Sequence, residues 1–260
     1  MPIRRLAVAV ALLLTLGGLA EAMDSGPFTA APAAWRFRLG ALELTALRDG
    51  GFATPNDGAD FGSMVGSAAV TRLLAAAGAP TDAIRLDVAA LLVRTPGHLV
   101  LLDTGLGPSN HGALPQSLAM AGVSPGQITD ILITHAHFDH VGGLMSADHR
   151  SAFPNATIRM SATEWAWMRG QGETKALAAV IAPQVTTFEP GGTVLPGITS
   201  VALYGHTPGH VGYEITSQGQ RLEDIGDAAH SSIISVERPD WTGGMDLDRP
   251  AAAASRRRAL

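Results

Sequence analysis

Residues 131–143 read ILITHAHFDHVGG, an apolar run that ends in three histidines and an aspartate within six positions. The run is one buried strand, Ile128 to Thr134, so the polar residues after it fall at its carboxyl end, where loops gather and sites are built. A single histidine near a core is usually a hydrogen-bonded residue. His135, His137 and His140, with Asp139 among them, form a cluster that burial alone does not explain. In extended chain His135, His137 and Asp139 share one side by the period of two, and His140 reaches elsewhere once the loop bends. One loop can then offer nitrogen and oxygen ligands to two neighbouring points. Imidazole with carboxylate suits Zn²⁺ best, with Mn, Fe and Co open.

Burying such a strand requires a core, and the composition supplies one: 260 residues, 46% hydrophobic and 16% charged, point to one large globular domain. The net charge of -5 and the pI near 6.0 give no basic footprint, so nucleic acid is not the expected partner. There are no cysteines, which excludes disulfides and thiolate metal ligands. Residues 1–22 stand apart: a cationic MPIRR, the apolar LAVAVALLLTLGGLA and the small-x-small Ala20-Glu21-Ala22 have the form of a secretory signal peptide. The apolar run is shorter than the ~20 residues of a spanning helix, so no stable membrane anchor is expected after cleavage. The expected product is exported, periplasmic or secreted.

A Pro/Ala-rich flexible leader is expected over 23–34, and one folded domain over 35–260. WRFRLGALELTALRDGG alternates apolar and polar residues on both sides of Gly40 and predicts a hairpin ended by Asp49-Gly50-Gly51. A loop with one helix near Val70 to Ala77 follows. VAALLVRT and LVLLDTG, joined at Thr95-Pro96-Gly97-His98, predict two paired strands. Leu114 to Ala121 is expected to be a helix. Ser161-Ala162-Thr163-Glu164 matches a capping box for a helix over Ala162 to Arg169, and another is expected over Thr174 to Ile181. Four further strands follow: Val185 to Phe188, Ile198 to Leu203, Val211 to Thr216 and Arg221 to Ile225. Asp248 and Pro250 open a last helix. Strands interspersed with helices indicate a layered α/β or α+β domain.

Two later segments repeat the placement of polar residues at strand ends: LYGHTPGH carries His206, and EDIGDAAH carries Asp227. His210 is expected in a hydrogen-bonded outer position. HAHFDH, GHTPGH and GDAAH, preceded by LVLLDTG, together resemble the metallo-β-lactamase fold superfamily of metallohydrolases. LGALELTALRDGG, ITHAHFDHVGGL, AFPNATIRM and YGHTPGH resemble its branch of methyl parathion hydrolase and exported quorum-quenching lactonases.

The resemblance implies an αββα sandwich of α+β class. It implies a first metal held by His135, His137 and His206, a second by Asp139 and His140, and Asp227 shared between them. Zinc, two ions per chain, is the expected cofactor. Asp103 is either an orienting residue behind the ligand loop or a simple turn aspartate. The function implied is hydrolysis of a small hydrophobic ester, lactone or phosphotriester by hydroxide held at a dinuclear centre. Asp139, Asp227 and His230 are the catalytic candidates; His230 stands three residues after Asp227, where related lactonases carry a tyrosine. A solvated loop histidine is the alternative for it.

The family's second metal takes one more histidine downstream of the bridging aspartate, and no histidine follows His230. A fragment lacking about 40 to 60 residues, a strand and a helix, is the expected explanation. The alternatives are a natural short form, a glyoxalase II-like thioesterase, or a metal-binding protein impaired in turnover. A class B β-lactamase is disfavoured by Asp227 and the absence of cysteine. Trp165, Trp167, Phe52 and Phe61 are candidate pocket aromatics, with core packing as the alternative. Homodimer formation is left open.

Overall fold

The computed structural model describes residues 26–260, so the signal peptide expected over 1–22 lies outside the described residues. Seven strands form one sheet in chain order: β1 (Gly26–Leu39), β2 (Leu42–Pro55), β3 (Ala83–Thr95), β4 (His98–Leu102), β5 (Asp130–Leu132), β6 (Thr157–Ser161) and β7 (Val185–Phe188). The first four pair antiparallel, and β4 to β7 run parallel. A second sheet has the order β11-β10-β9-β8, from β8 (Thr193–Leu195), β9 (Ile198–Ala202), β10 (Val211–Ser217) and β11 (Gln220–Asp224). The helices are α1 (Ser67–Ala76), α2 (Leu114–Met120), α3 (Phe138–Val141), α4 (Ala162–Gly170), α5 (Lys175–Ile181), α6 (Ile234–Glu237) and α7 (Arg249–Ala259).

The layers follow from which strand faces are apolar. Leu44, Val93, Val100, Leu102 and Leu132 of the larger sheet meet Ile198, Val211, Tyr213 and Ile215 of the smaller one. The opposite face of the larger sheet, through Leu101, Ile131 and Ile158, packs on Leu118, Met168 and Ile181 of α2, α4 and α5. Each of these fully buried side chains contributes about 1.5 to 3 kcal/mol relative to exposure. The result is the expected αββα sandwich. Tyr213 fastens the sheets together where the ligand loop begins, its hydroxyl donating to the Ile133 carbonyl at 2.8 Å.

Two local expectations need correction. The leader placed over 23–34 is, from Gly26 onward, part of β1, paired to β2 from Gly26↔Ala53 to Leu39↔Leu42. An edge strand tolerates Pro27 and Pro32 because ladder donors are needed on one side only, and a register shift between Thr29 and Ala33 absorbs the irregularity. Nor does Asp49-Gly50-Gly51 end its strand, since β2 runs on to Pro55 with a shift between Arg48 and Gly50. Asp49 is buried, its carboxylate accepting from the Leu106 and Leu114 amides, both at 2.6 Å, and so pins the loop after β4. Gly50 is required by close approach: a Cβ there would stand 2.5 Å from Leu106 Cδ1.

Asp248 caps α7 as expected, accepting from the Ala251 amide at 3.1 Å. Among the described residues no helix is long and apolar enough to cross a membrane.

Candidate metal centre

β5 ends at Leu132, the backbone at His137 is still extended, and α3 begins at Phe138. That change of backbone divides the ligands. His135 and His137 project from extended chain; Asp139 and His140 project from a helical turn. The period-two reading grouped Asp139 with His135 and His137, and it fails because helical rotation replaces strand alternation after His137. Asp139 goes instead with His140.

Two groups of side chains converge. His135, His137, His206 and Asp227 form one, and Asp139, His140 and Asp227 the other, each within 4.8 Å. In the first, His137 Nδ1 lies 3.0 Å from His135 Nε2 and 2.8 Å from His206 Nε2. Asp227 is common to both: Oδ2 lies 3.7 Å from His135 Nε2 and 3.4 Å from His206 Nε2, while Oδ1 lies 3.3 Å from His140 Nε2. His206 arrives from the loop after β9, and Asp227 from a short 3-10 turn after β11. The short β5 and the two later strands thus deliver all six predicted ligands to one place.

The donor set fits a metal. Three imidazole nitrogens pointing at one another repel as lone pairs unless protons or a cation lie between them. Zinc bonded to nitrogen at 2.0 to 2.1 Å has a tetrahedral edge of about 3.3 Å, close to the spacings here. Burial and the neighbouring His140 hold the His135 ring well below its ordinary range, and burial with His206 holds His137 down to about 3. Both therefore stay neutral and able to ligate. Burial opposes a charge on His140, yet Asp227, Asp139 and Asp103 raise it well above the usual value. Asp227 is likewise favoured as the carboxylate, against its burial, by His140 and His230.

Behind the ligands stand acceptors and donors that aim them. Asp103, at the end of β4, accepts from the Thr134 amide at 2.8 Å and hydroxyl at 2.7 Å and contacts His140 Nδ1 at 2.7 Å. It is an orienting residue rather than a simple turn aspartate. His210 is buried, and its Nε2 accepts from the Asp227 amide at 3.0 Å, the outer position expected for it. Sequence reasoning missed Glu164. Ser161 caps α4 as predicted, its hydroxyl accepting from the Glu164 amide at 3.1 Å, but the Glu164 side chain does not turn back to complete a capping box. It accepts instead from the Ala136 amide at 2.7 Å, the Thr207 hydroxyl at 2.8 Å and the Gly209 amide at 2.9 Å. One buried carboxylate thereby ties the His135–His137 segment to the His206 loop. The capping-box match was the only sequence signal for Glu164, and it pointed to another role.

A cavity of about 1140 Å³ opens on this centre, with His137, Asp139, His140, His206, Asp227 and His230 in its wall. Phe52, Leu86, Val88 and Phe138 give it an apolar side. Of the candidate aromatics, Phe52 lines it, edge-on to Phe138 at 5.6 Å. Phe61 packs instead with Val70 and Leu74. Trp165 and Trp167 pack against the core, Trp167 also edge-on to the His137 ring at 5.6 Å. His230 is not a solvated loop residue: its side chain is 8% exposed, with Nε2 3.3 Å from Asp227 Oδ2.

The profile described as Metallo-beta-lactamase superfamily matches residues 83–260. Among curated proteins, Metallo-beta-lactamase domain-containing protein 1 of Xenopus laevis is 35% identical over 135 residues, 52% of this chain and 49% of that protein. An N-acyl homoserine lactonase of a Bacillus species is 28% identical over 155 residues, 50% of this chain and 59% of that protein. The chain thus spans about half the length of these curated relatives. Among solved structures, AidC, a dizinc quorum-quenching lactonase in complex with a product, superposes with a TM-score of 0.83 at 28% identity, covering 88% of this chain and 85% of that one.

Proposed function

The chain belongs to the metallo-β-lactamase superfamily, and on that premise we propose that it is a hydrolase that cleaves a lactone, ester or phosphotriester at a two-metal centre. The observation that carries this reading is the division of Asp227, one oxygen toward His135 and His206 and the other toward His140. A carboxylate divided in that way would be shared by two ions. His135, His137 and His206 would hold one ion, Asp139 and His140 the other. Zinc is the metal we assign, from the nitrogen and oxygen donors and the dizinc lactonase among the similar structures. Two such ions, when bound, would acidify a water and polarise the scissile carbonyl or phosphoryl oxygen.

The chain's own residues do the remaining work. Asp103, Glu164 and His210 hold the ligand loops in place before substrate arrives, which is the preorganisation that electrostatic catalysis needs. Phe52, Phe138, Leu86 and Val88 exclude water from one side of the cavity and suit an acyl or aryl group. We assign His230, which stands in the cavity wall with Nε2 3.3 Å from Asp227 Oδ2, as the donor of a proton to a leaving oxygen. With the apolar leader over 1–22, this describes an exported enzyme acting on small hydrophobic substrates.

Metal content per chain, measured by elemental analysis, and turnover of a γ-lactone, an aryl ester, a methyl phosphotriester and a thioester test the proposal. Two ions and turnover of an oxygen ester are expected. Absence of bound metal would overturn the site, and two ions with no turnover would overturn the hydrolase. Turnover of the thioester alone would favour the glyoxalase II-like alternative.

A further inference from the structure

Each ligand ring that aims Nε2 into the centre needs a partner for its other nitrogen. His135 Nδ1 has the Thr134 hydroxyl at 3.1 Å and His140 Nδ1 has Asp103 at 2.7 Å. His206 Nδ1 is buried and makes no hydrogen bond within the distance and angle limits of one. The nearest carboxylate is Asp246, whose Oδ1 lies 3.5 Å away and is itself buried without a hydrogen bond. Both side chains are 2% exposed, so two complementary orphans face each other where water does not reach.

We infer that Asp246 is a positioning residue for His206, accepting from its Nδ1–H and so keeping Nε2 as the lone pair turned into the metal centre. Closure by about 0.6 to 0.8 Å brings the pair to the length of a charge-assisted hydrogen bond. The backbone already runs alongside: the Leu247 amide donates to the His206 carbonyl at 3.3 Å and the Asp248 amide to the Gly205 carbonyl at 2.8 Å.

Arg256 completes the arrangement from α7. Its guanidinium donates to Asp246 Oδ2 at 3.1 Å and to the carbonyls of Ala228 at 2.7 Å, Pro239 at 3.2 Å and Trp241 at 3.1 Å. This buried cation keeps Asp246 ionised, and an ionised carboxylate only accepts. Its proton-free oxygen therefore selects the Nδ1–H tautomer of His206. The middle arginine of the run at 256–258 is thus not the one that matters: Arg257 pairs with Asp240 and Arg258 with the Ala202 carbonyl at the surface, while Arg256 alone reaches inward.

The inference rests on His206 being a metal ligand, and the experiment separates the two. Long-range ¹H–¹⁵N correlation spectra of the full metal-free chain at mildly alkaline pH read the His206 tautomer, with His206→Gln identifying the signal. Asp246→Asn and Asp246→Glu are compared with wild type for tautomer, unfolding midpoint and zinc affinity by chelator competition. Expected are an Nδ1–H tautomer in wild type and a shift to Nε2–H in Asp246→Asn, whose amide can donate to Nδ1. Zinc affinity should fall roughly 10- to 100-fold; the metal-free unfolding midpoint falls as well, because buried Arg256 loses its counter-ion, so affinity is compared under conditions where both proteins are folded. Asp246→Glu should recover part of the affinity. An Nε2–H tautomer in wild type, or unchanged zinc affinity in Asp246→Asn, overturns the proposal. A wild type that shows Nδ1–H but binds no zinc supports the pair and overturns the two-metal reading.

Discussion

Asp103 and His140 meet through a 2.7 Å contact between carboxylate Oδ2 and ring Nδ1. The contact spends one ring nitrogen and leaves Nε2 free beside Asp227 Oδ1 at 3.3 Å. Asn at position 103 would keep the size and tolerate the positive φ of 57°, but would offer a donor where His140 needs an acceptor. Asp103→Asn should weaken metal binding about 10- to 100-fold, read by competition with a chromophoric chelator. Unchanged affinity would mean that the carboxylate does nothing beyond shaping the turn.

Asp227 reaches both ligand groups, so its loss should be felt at both. Asp227→Ala is expected to lose both ions together, by elemental analysis of the dialysed protein, and with them turnover. Two ions retained per chain would show that the carboxylate is not shared.

Glu164 is buried and satisfies three donors on two loops. Removing the acceptor strands all three, at about 1 to 3 kcal/mol for each buried group left unpaired. Glu164→Ala should therefore lose about 3 kcal/mol or more in urea unfolding of the metal-free protein, and Glu164→Gln less, because one carbonyl oxygen remains. An alanine variant as stable as wild type would mean that the loops are held elsewhere.

Asp224 carries a pH signature. Burial, then the neighbouring Asp103, pushes its carboxyl from 3.8 up to about 6. A raised folded value means that the native state holds the proton more tightly. Its stabilising contribution is complete below 3.8 and is lost as pH climbs through about 6. Asp224→Asn removes this titration, so the metal-free variant should gain on wild type between those values, by up to roughly 3 kcal/mol. Parallel stability profiles for the two proteins would rule the shift out.

His230 packs edge-on to Phe61 at 6.4 Å and lies against the His206 ring at 4.9 Å. Phenylalanine fills the same space without a proton to give. His230→Phe should leave the metal content unchanged and lower kcat by about 100-fold or more, the ordinary scale of a lost general acid. A kcat equal to wild type would reduce the histidine to a packing residue.

The sequence alone determined whatever depends on near neighbours in the chain. The hairpin around Gly40, the Ser161 cap of α4 and the Asp248 cap of α7 follow from alternation and from spacings of three residues. The six candidate ligands were legible too, because HAHFDH follows an apolar strand and the later His206 and Asp227 segments complete the family resemblance. Tertiary structure decided how they are shared out. The helical turn at Phe138–Val141 carried Asp139 to the side of His140, against strand alternation. It turned a predicted capping glutamate into a clasp on residues 28 to 45 positions away, made a strand of a proline-bearing leader at a sheet edge, and set Asp246 behind His206 across 40 residues, as their numbers show. A local pattern can tell which side chains will be buried and polar. Which donor each one meets is settled by segments that approach only when the two sheets close, and no spacing along the chain encodes that meeting.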